Sequence, residues 1–456
     1  MSVTLKANFV ATRNACKLCS PLGAALVFKG IEGAISLLHG SQGCSTYIRR
    51  YLISHFREPV DIASSNFSEE SAVFGGEKNL KTALQNVAAQ YHPRLIGIAT
   101  TCLSETIGED VPGMLRAIPE SSLQGNPILV HVSTPSYNGS HADGFTAATR
   151  AVVERFLGKR AYRSSVKQIN IFPGICSPAD LRYLREIVDG FGLYCVMLPD
   201  YSETLDGMSW DDYHSLPAGG TAVIDIASMG GSLASLTLGR ISGIKPEKSA
   251  GEYLREQFNV SHHLLGMPIG IRETDGLMKS LESITGSPLP EKFIWERGRL
   301  ADAMIDGHKY VFEKRALVYG EEDLVLGVAV FLSEIGIVPV LCSSGGKSGH
   351  LRRLMDEMIP ELKTKIEVVD GNDFAGMDEM AQRLGIDIVI GNSKGFQISR
   401  KLKVPIVRIG FPIHDRIGAG RVLHYGYRGA LELYDRIVNA LLEKKQDDSQ
   451  VGYSYL

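Results

Sequence analysis

An excess of charge of one sign is missing from this chain. Its 456 residues carry 48 Lys and Arg against 51 Asp and Glu, a formal charge of −3. So even a balance provides no electrostatic footprint for nucleic acid or an anionic membrane. Long hydrophobic runs are missing as well. None approaches the roughly 18 residues of a membrane span, and Met1 to Ala15 holds no apolar signal core. Low-complexity tracts and short repeats are absent, and glycine and proline are spread along the chain. These absences exclude disordered, collagen-like and coiled-coil chains and lead to the expectation of a soluble, cytoplasmic protein. Disulfides are not expected there, so the seven cysteines are left for metal ligation or core filling.

What is present is ordinary globular material, with 44% hydrophobic and 22% charged residues. At roughly 150 residues per domain the length suggests about three domains. A short apolar run followed by small residues and an amphipathic stretch recurs along the chain. Leu95–Thr100, Ile128–Val132, Ile169–Phe172, Ala316–Tyr319, Val338–Leu341, Ile386–Ile390 and Ile406–Ile409 are such runs. They read as buried parallel strands. Pro178–Phe191, with proline near its start, apolar residues at helical spacing and Gly192 as a stop, reads as the helix after one of them. The pattern predicts an α/β fold with several open parallel sheets. The polar stretch 158–167 and the Gly-Ser-Pro of 286–288 place boundaries near 165 and 290. The expected domains are therefore 1–165, 166–290 and 291–456. A long helix is expected over Lys292–Phe312 and a last one over Ala430–Leu442, before a tail that carries Tyr453-Ser454-Tyr455.

Four of the seven cysteines fall in the first quarter of the chain, at 16, 19, 44 and 102. Three have loop settings: Cys19 before Ser20-Pro21-Leu22-Gly23, Cys44 closing His39-Gly40-Ser41-Gln42-Gly43, and Cys102 after a strand and Thr101. Small neighbours leave room for an inorganic cluster and offer backbone N–H groups to it. Cys16-x-x-Cys19 also suggests zinc or redox chemistry, but no second close pair or spaced His pair follows. Cys176, Cys195 and Cys342 read as core residues. Three loop cysteines are one short of the four that commonly hold an iron–sulfur cluster. They suit a half-site at a subunit interface, with Cys16 a doubtful fourth. His39, His308 and His424 lack a paired ligand motif and read as satisfied polar residues.

Several ordered segments resemble the β-type subunits of the nitrogenase component 1 family. They are Cys16–Ala24, His39–Cys44, His55–Pro59, Ala72–Gly76, Thr100–Cys102, Leu198–Asp200, Asp302–Asp306, Gly391–Ser393 and Gly410–Asp415. The resemblance covers nearly the whole chain. It implies three Rossmann-like domains with parallel sheets and an α2β2 heterotetramer with an α-type partner. It also implies an ATP-dependent iron protein as reductase. Cys19, Cys44 and Cys102 match the β-side ligands of a P-cluster-type iron–sulfur cluster, [8Fe-7S] or [4Fe-4S], shared with that partner. Ser136, within Thr134-Pro135-Ser136-Tyr137, matches the serine that can ligate the oxidised cluster. The larger cofactor belongs to the partner, so no catalytic residue is expected in this chain.

Ser177–Asp180, Leu198–Ser202 and Leu205–Gly207 resemble NifN-type cofactor-assembly scaffolds more than dinitrogen-reducing β subunits. They are also similar to β-type subunits of nitrogenase-like methylthio-alkane reductases. The resemblance thus implies an electron-relaying oxidoreductase subunit, with reductive C–S cleavage as a candidate reaction. Its alternative is a scaffold subunit for iron–molybdenum cofactor biosynthesis.

Overall fold

The structure is a computed structural model that describes residues 16–158 and 166–451 except 213, 246 and 248. Its thirteen described strands form three sheets. The first contains β1 (Ala34–His39), β2 (Ile62–Ser64), β3 (Leu95–Thr100) and β4 (Ile128–Val132), in the order β2-β1-β3-β4. The second contains β5 (Gln168–Phe172), β6 (Tyr194–Met197), β7 (Ala234–Leu238) and β8 (Ser261–Leu265), in the order β6-β5-β7-β8. The third contains β9 (Arg315–Gly320), β10 (Val338–Ser344), β11 (Glu367–Val369), β12 (Ile388–Gly391) and β13 (Ile406–Arg408), in the order β11-β10-β9-β12-β13. Every pairing is parallel. The fold is the expected α/β class with several parallel sheets.

The central strands β1, β3 and β5 are buried along their whole length, as sheets covered by helices on both faces require. Each sheet reverses its direction of growth once, between β1 and β3, between β5 and β7, and between β9 and β12. At such switch points the loops leaving the carboxyl ends of neighbouring strands diverge and open a crevice. One continuous apolar cluster joins the three sheets. Smaller clusters lie on the first and third sheets.

The expected helices form at Pro178–Gly190 and Glu291–Val311. The last helix is longer than its apolar spacing suggested and runs Gly426–Asp447. It starts early because Gly426 takes a left-handed φ of 68°, and its N–H reaches the carbonyl of Pro268 at 2.7 Å. It ends late because Lys444 and Asp448 pair one turn apart on its charged face. The Tyr453-Ser454-Tyr455 run lies outside the described residues.

Candidate functional site

Three segments at the carboxyl edge of the first sheet carry Cys44, Cys102 and Ser136, the two cysteines already in the first turns of the helices Gln42–Phe56 and Cys102–Thr106. They follow β1, β3 and β4 in turn. Cys19 arrives from the other side, as the N-cap residue of the helix Ser20–Lys29. That helix is buried over its whole length and packs on β1, β3 and the helix His141–Leu157. The two helices cross at glycines. A Cβ on Gly23 would lie 1.8 Å from the carbonyl oxygen of His141, and one on Gly144 would lie 1.9 Å from that of Ser20. The β1 and β3 loops close in the same manner, because a Cβ on Gly40 would lie 2.1 Å from the Thr101 hydroxyl.

Close backbone approach therefore gathers the site. The backbone N–H of Ser136 donates to Cys102 Sγ at 3.3 Å, and that of Ser20 donates to Ser136 Oγ at 3.0 Å. Ser41 Oγ lies 3.8 Å from Cys44 Sγ and donates to it. Burial pushes the Cys19 thiol up to about 11, and the neighbouring thiols of Cys44 and Cys102 add to the rise. Cys19 and Cys44 are half-buried and Cys102 is exposed. Each lies in the first turn of a helix or at its cap. There the unpaired backbone N–H groups favour negative charge.

Cys16 does not join them. It is buried in the third sheet's cluster with Tyr319 and Leu341, and burial pushes its thiol up to about 12. Its backbone is locked there, with its N–H on Asn372 O at 3.3 Å and its carbonyl taking the Gly345 N–H at 3.1 Å. The Cys-x-x-Cys pair is thus divided between two sheets and does not chelate. Among the described residues no three His, Cys, Asp or Glu side chains gather around one metal-ion position. Cys195 and Cys342 are core residues within strands β6 and β10. Cys176 is half-buried beside an interior cavity.

Lys17 was not singled out by its sequence context. Its ammonium donates to the carbonyl of Gly139 at 3.1 Å, in the turn after Ser136, and is electrostatically coupled to Cys102. The signal available was its place within the cysteine pair. Of the histidines, His39 is satisfied on both nitrogens, by Ser65 and by Glu109. His424 is satisfied on one only, at Asp180.

Exposed apolar side chains neighbour these residues along the chain: Tyr47, Leu103, Ile107 and Tyr137. No helix among the described residues is long and apolar enough to cross a membrane.

Known proteins resemble this chain in both fold and sequence. The nitrogenase molybdenum-iron protein beta chain of Clostridium pasteurianum is 34% identical over 437 residues, which cover 94% of this chain and 93% of that one. The nitrogenase iron-molybdenum cofactor biosynthesis protein NifN of Bradyrhizobium diazoefficiens is 32% identical over 441 residues, covering 96% and 91%. A solved structure described as nitrogenase Cp1 at pH 6.5 superposes with a TM-score of 0.93 at 32% identity, covering 100% of this chain and 98% of that chain. The family described as nitrogenase component 1 type oxidoreductase matches residues 19–442, from the first of the gathered cysteines to the last third of the final helix, and this chain belongs to it.

Proposed function

We propose that this chain is the β-type subunit of a nitrogenase-like oxidoreductase complex and holds half of an iron–sulfur cluster at its interface with an α-type partner. The observation that carries the reading is the meeting of Cys19, Cys44, Cys102 and Ser136 at one sheet edge, beside exposed apolar side chains. The donor set suits the group: three soft sulfurs near enough to act on one another that do not close on a single ion, as suits a polynuclear cluster. When bound, such a cluster accepts and releases single electrons.

The chain's own residues bind and tune. At Cys19 the Leu22 N–H in the first turn of its helix favours the thiolate, against the burial that raises it. The Ser136 N–H donates to Cys102 Sγ, a contact of the kind that sets cluster potential. Ser136 Oγ, held by the Ser20 N–H, is a hard oxygen that suits more oxidised iron. The Lys17 ammonium supplies positive charge beside Cys102. Tyr47, Leu103, Ile107 and Tyr137 keep water from the thiols once a partner covers them, because exposed apolar side chains of this kind mark protein–protein contacts.

In this reading an ATP-dependent iron protein delivers electrons to the complex. The α-type partner holds the cofactor at which substrate is reduced, in an α2β2 assembly. Reductive C–S cleavage of small organic sulfur compounds is the reaction to assay beside dinitrogen and acetylene. The NifN relative, similar over 96% of this chain, favours a second reading, a scaffold on which an iron–molybdenum cofactor matures. Copurification with the α-type partner, metal analysis and turnover with the reductase separate the two. A relay subunit gives electron-dependent substrate reduction. A scaffold gives iron-loaded complex without turnover that passes its metal cluster to an apo-enzyme.

A further inference from the structure

We propose that Glu105 is a positioning residue that holds Ser136 against Cys102; the inference rests on the cluster reading above and deepens it. Glu105 lies one turn after Cys102 in the helix Cys102–Thr106, which has 5 residues. Isolated helices are marginal in water even at about 12–15 residues. Side-chain ties therefore decide where this one sits and where it presents Cys102. On the β1 side the tie is Ser104, whose hydroxyl accepts the Thr101 N–H at 3.1 Å and donates to the His39 carbonyl at 2.9 Å. On the β4 side the tie is Glu105.

One carboxylate oxygen, Oε1, receives hydroxyls from two strand ends. Thr100, the last residue of β3, donates to it. Ser133, the residue after β4, donates to it at 2.6 Å. Thr100 Oγ1 also accepts the Thr134 N–H at 2.9 Å, which leaves its own hydrogen for Glu105. Only Thr134 and Pro135 separate Ser133 from Ser136, and the proline ring fixes its φ at about −65°. The Ser136 N–H then reaches Cys102 Sγ at 3.3 Å. A closed ring results, from Cys102 along the helix to Glu105, across to Ser133, along the chain to Ser136 and back to the sulfur.

Sulfur is a weak acceptor, so the N–H···Sγ contact holds the Ser136 segment less firmly than the hydroxyl–carboxylate bond does. Without Glu105 the strands stay in register, because Thr134 still bonds Thr100 through its N–H at 2.9 Å and its hydroxyl at 2.6 Å. What is lost is the link between the helix of Cys102 and the segment of Ser136. Both partners of Oε1 are hydroxyls, so the tie uses an acceptor oxygen. Glutamine offers that oxygen at the same reach, and alanine offers none.

The test is hydrogen–deuterium exchange of the complex purified free of iron, read by mass spectrometry over residues 133–138. Glu105→Ala and Ser133→Ala remove the tie from opposite ends. Each is expected to speed exchange there roughly tenfold, the weight of one hydrogen bond to a charged group. Glu105→Gln is expected to keep the unmodified rate, and strand Leu95–Thr100 to stay protected in all three. In the iron-loaded complex, Glu105→Ala is expected to change the oxidised-state electron paramagnetic resonance spectrum as Ser136→Ala does. Glu105→Gln should restore it, and Glu105→Ala should add nothing to Ser136→Ala. Unchanged exchange in both alanine variants, a glutamine variant that matches alanine, or additive spectral changes would each overturn the proposal. Ser133 is exposed, so a folding failure of Glu105→Ala leaves the test intact through Ser133→Ala. An unmodified complex that takes up no iron would remove the cluster reading, and the exchange rates would still decide the tie.

Discussion

Among single side chains, the seven cysteines are sorted by what surrounds each sulfur. Cys342 lies in β10 with its sulfur 3.7 Å from the Pro339 carbonyl, fully buried, and burial pushes its thiol far above the ordinary range. Such a sulfur stays protonated and serves as a small hydrophobe. Cys44 opens a helix at a partly exposed edge beside two other thiols. Cys44→Ala is therefore expected to lower the iron bound per αβ pair. Cys342→Ala is expected to cost about 1–2 kcal/mol of stability as a cavity and to leave the iron content unchanged. Equal iron in both purified variants would remove Cys44 from the ligand set. Ser136 tests the relay. Its hydroxyl is held on the Ser20 N–H, beside a backbone bond to Cys102 Sγ. Ser136→Ala should retain near-normal iron while shifting the spectrum and potential of the oxidised cluster. An unchanged oxidised state would favour the scaffold reading.

At the level of elements, the site depends on two helices that nearly touch through Gly23 and Gly144. Adding a methyl at Gly23 drives it into the His141 carbonyl, and the helix that carries Gly23 is buried over its whole length. Gly23→Ala is expected to destabilise the protein by about 3 kcal/mol or more, read from denaturant midpoints. It should also lower bound iron, because Cys19 and Ser136 flank that crossing. The β-branched strands were legible: Leu95–Thr100 and Ile128–Val132 form as read, and Ile386–Ile390 is displaced only to Ile388–Gly391. Strand β1, Ala-Ile-Ser-Leu-Leu-His, and strand β7, Ala-Ser-Leu-Thr-Leu, were not read. Each has a single β-branched residue, Ile35 and Thr237, and the remaining Ala, Ser, Leu and His carry little strand preference; pairing on both sides makes them strands. The loop cysteines were legible because small residues flank them. The separation of Cys16 from Cys19 was not, since it depends on a third sheet about 300 residues away. The interior cavity beside Cys176 was equally hidden, because its lining comes from segments far apart in sequence.

On the scale of the whole molecule, burial at the junction of the sheets gives two opposite dependences on pH. His55 lies between Phe56 and Phe411 and accepts the Ile413 N–H at 2.8 Å on Nδ1. Burial lowers its pKa from 6.5 to about 3. Below pH 6.5 the unfolded chain binds a proton here that the folded chain refuses, so stability falls as pH falls. Glu322 caps the turn at Ser348, and burial raises its pKa from 4.5 to about 7. Between pH 7 and 4.5 the folded chain binds the extra proton, so this group adds stability as pH falls and loses it as pH rises through 7. Over the whole molecule the two trends oppose each other, and single variants separate them. Relative to the unmodified protein, His55→Gln is expected to be less destabilising at pH 5 than at pH 7, by about 2 kcal/mol. Glu322→Gln is expected to be more destabilising at pH 5 than at pH 7, by about the same amount. Urea midpoints at the two pH values measure both differences. Parallel shifts in the two variants would mean that at least one of the two groups is not held in the protonation state that its burial dictates.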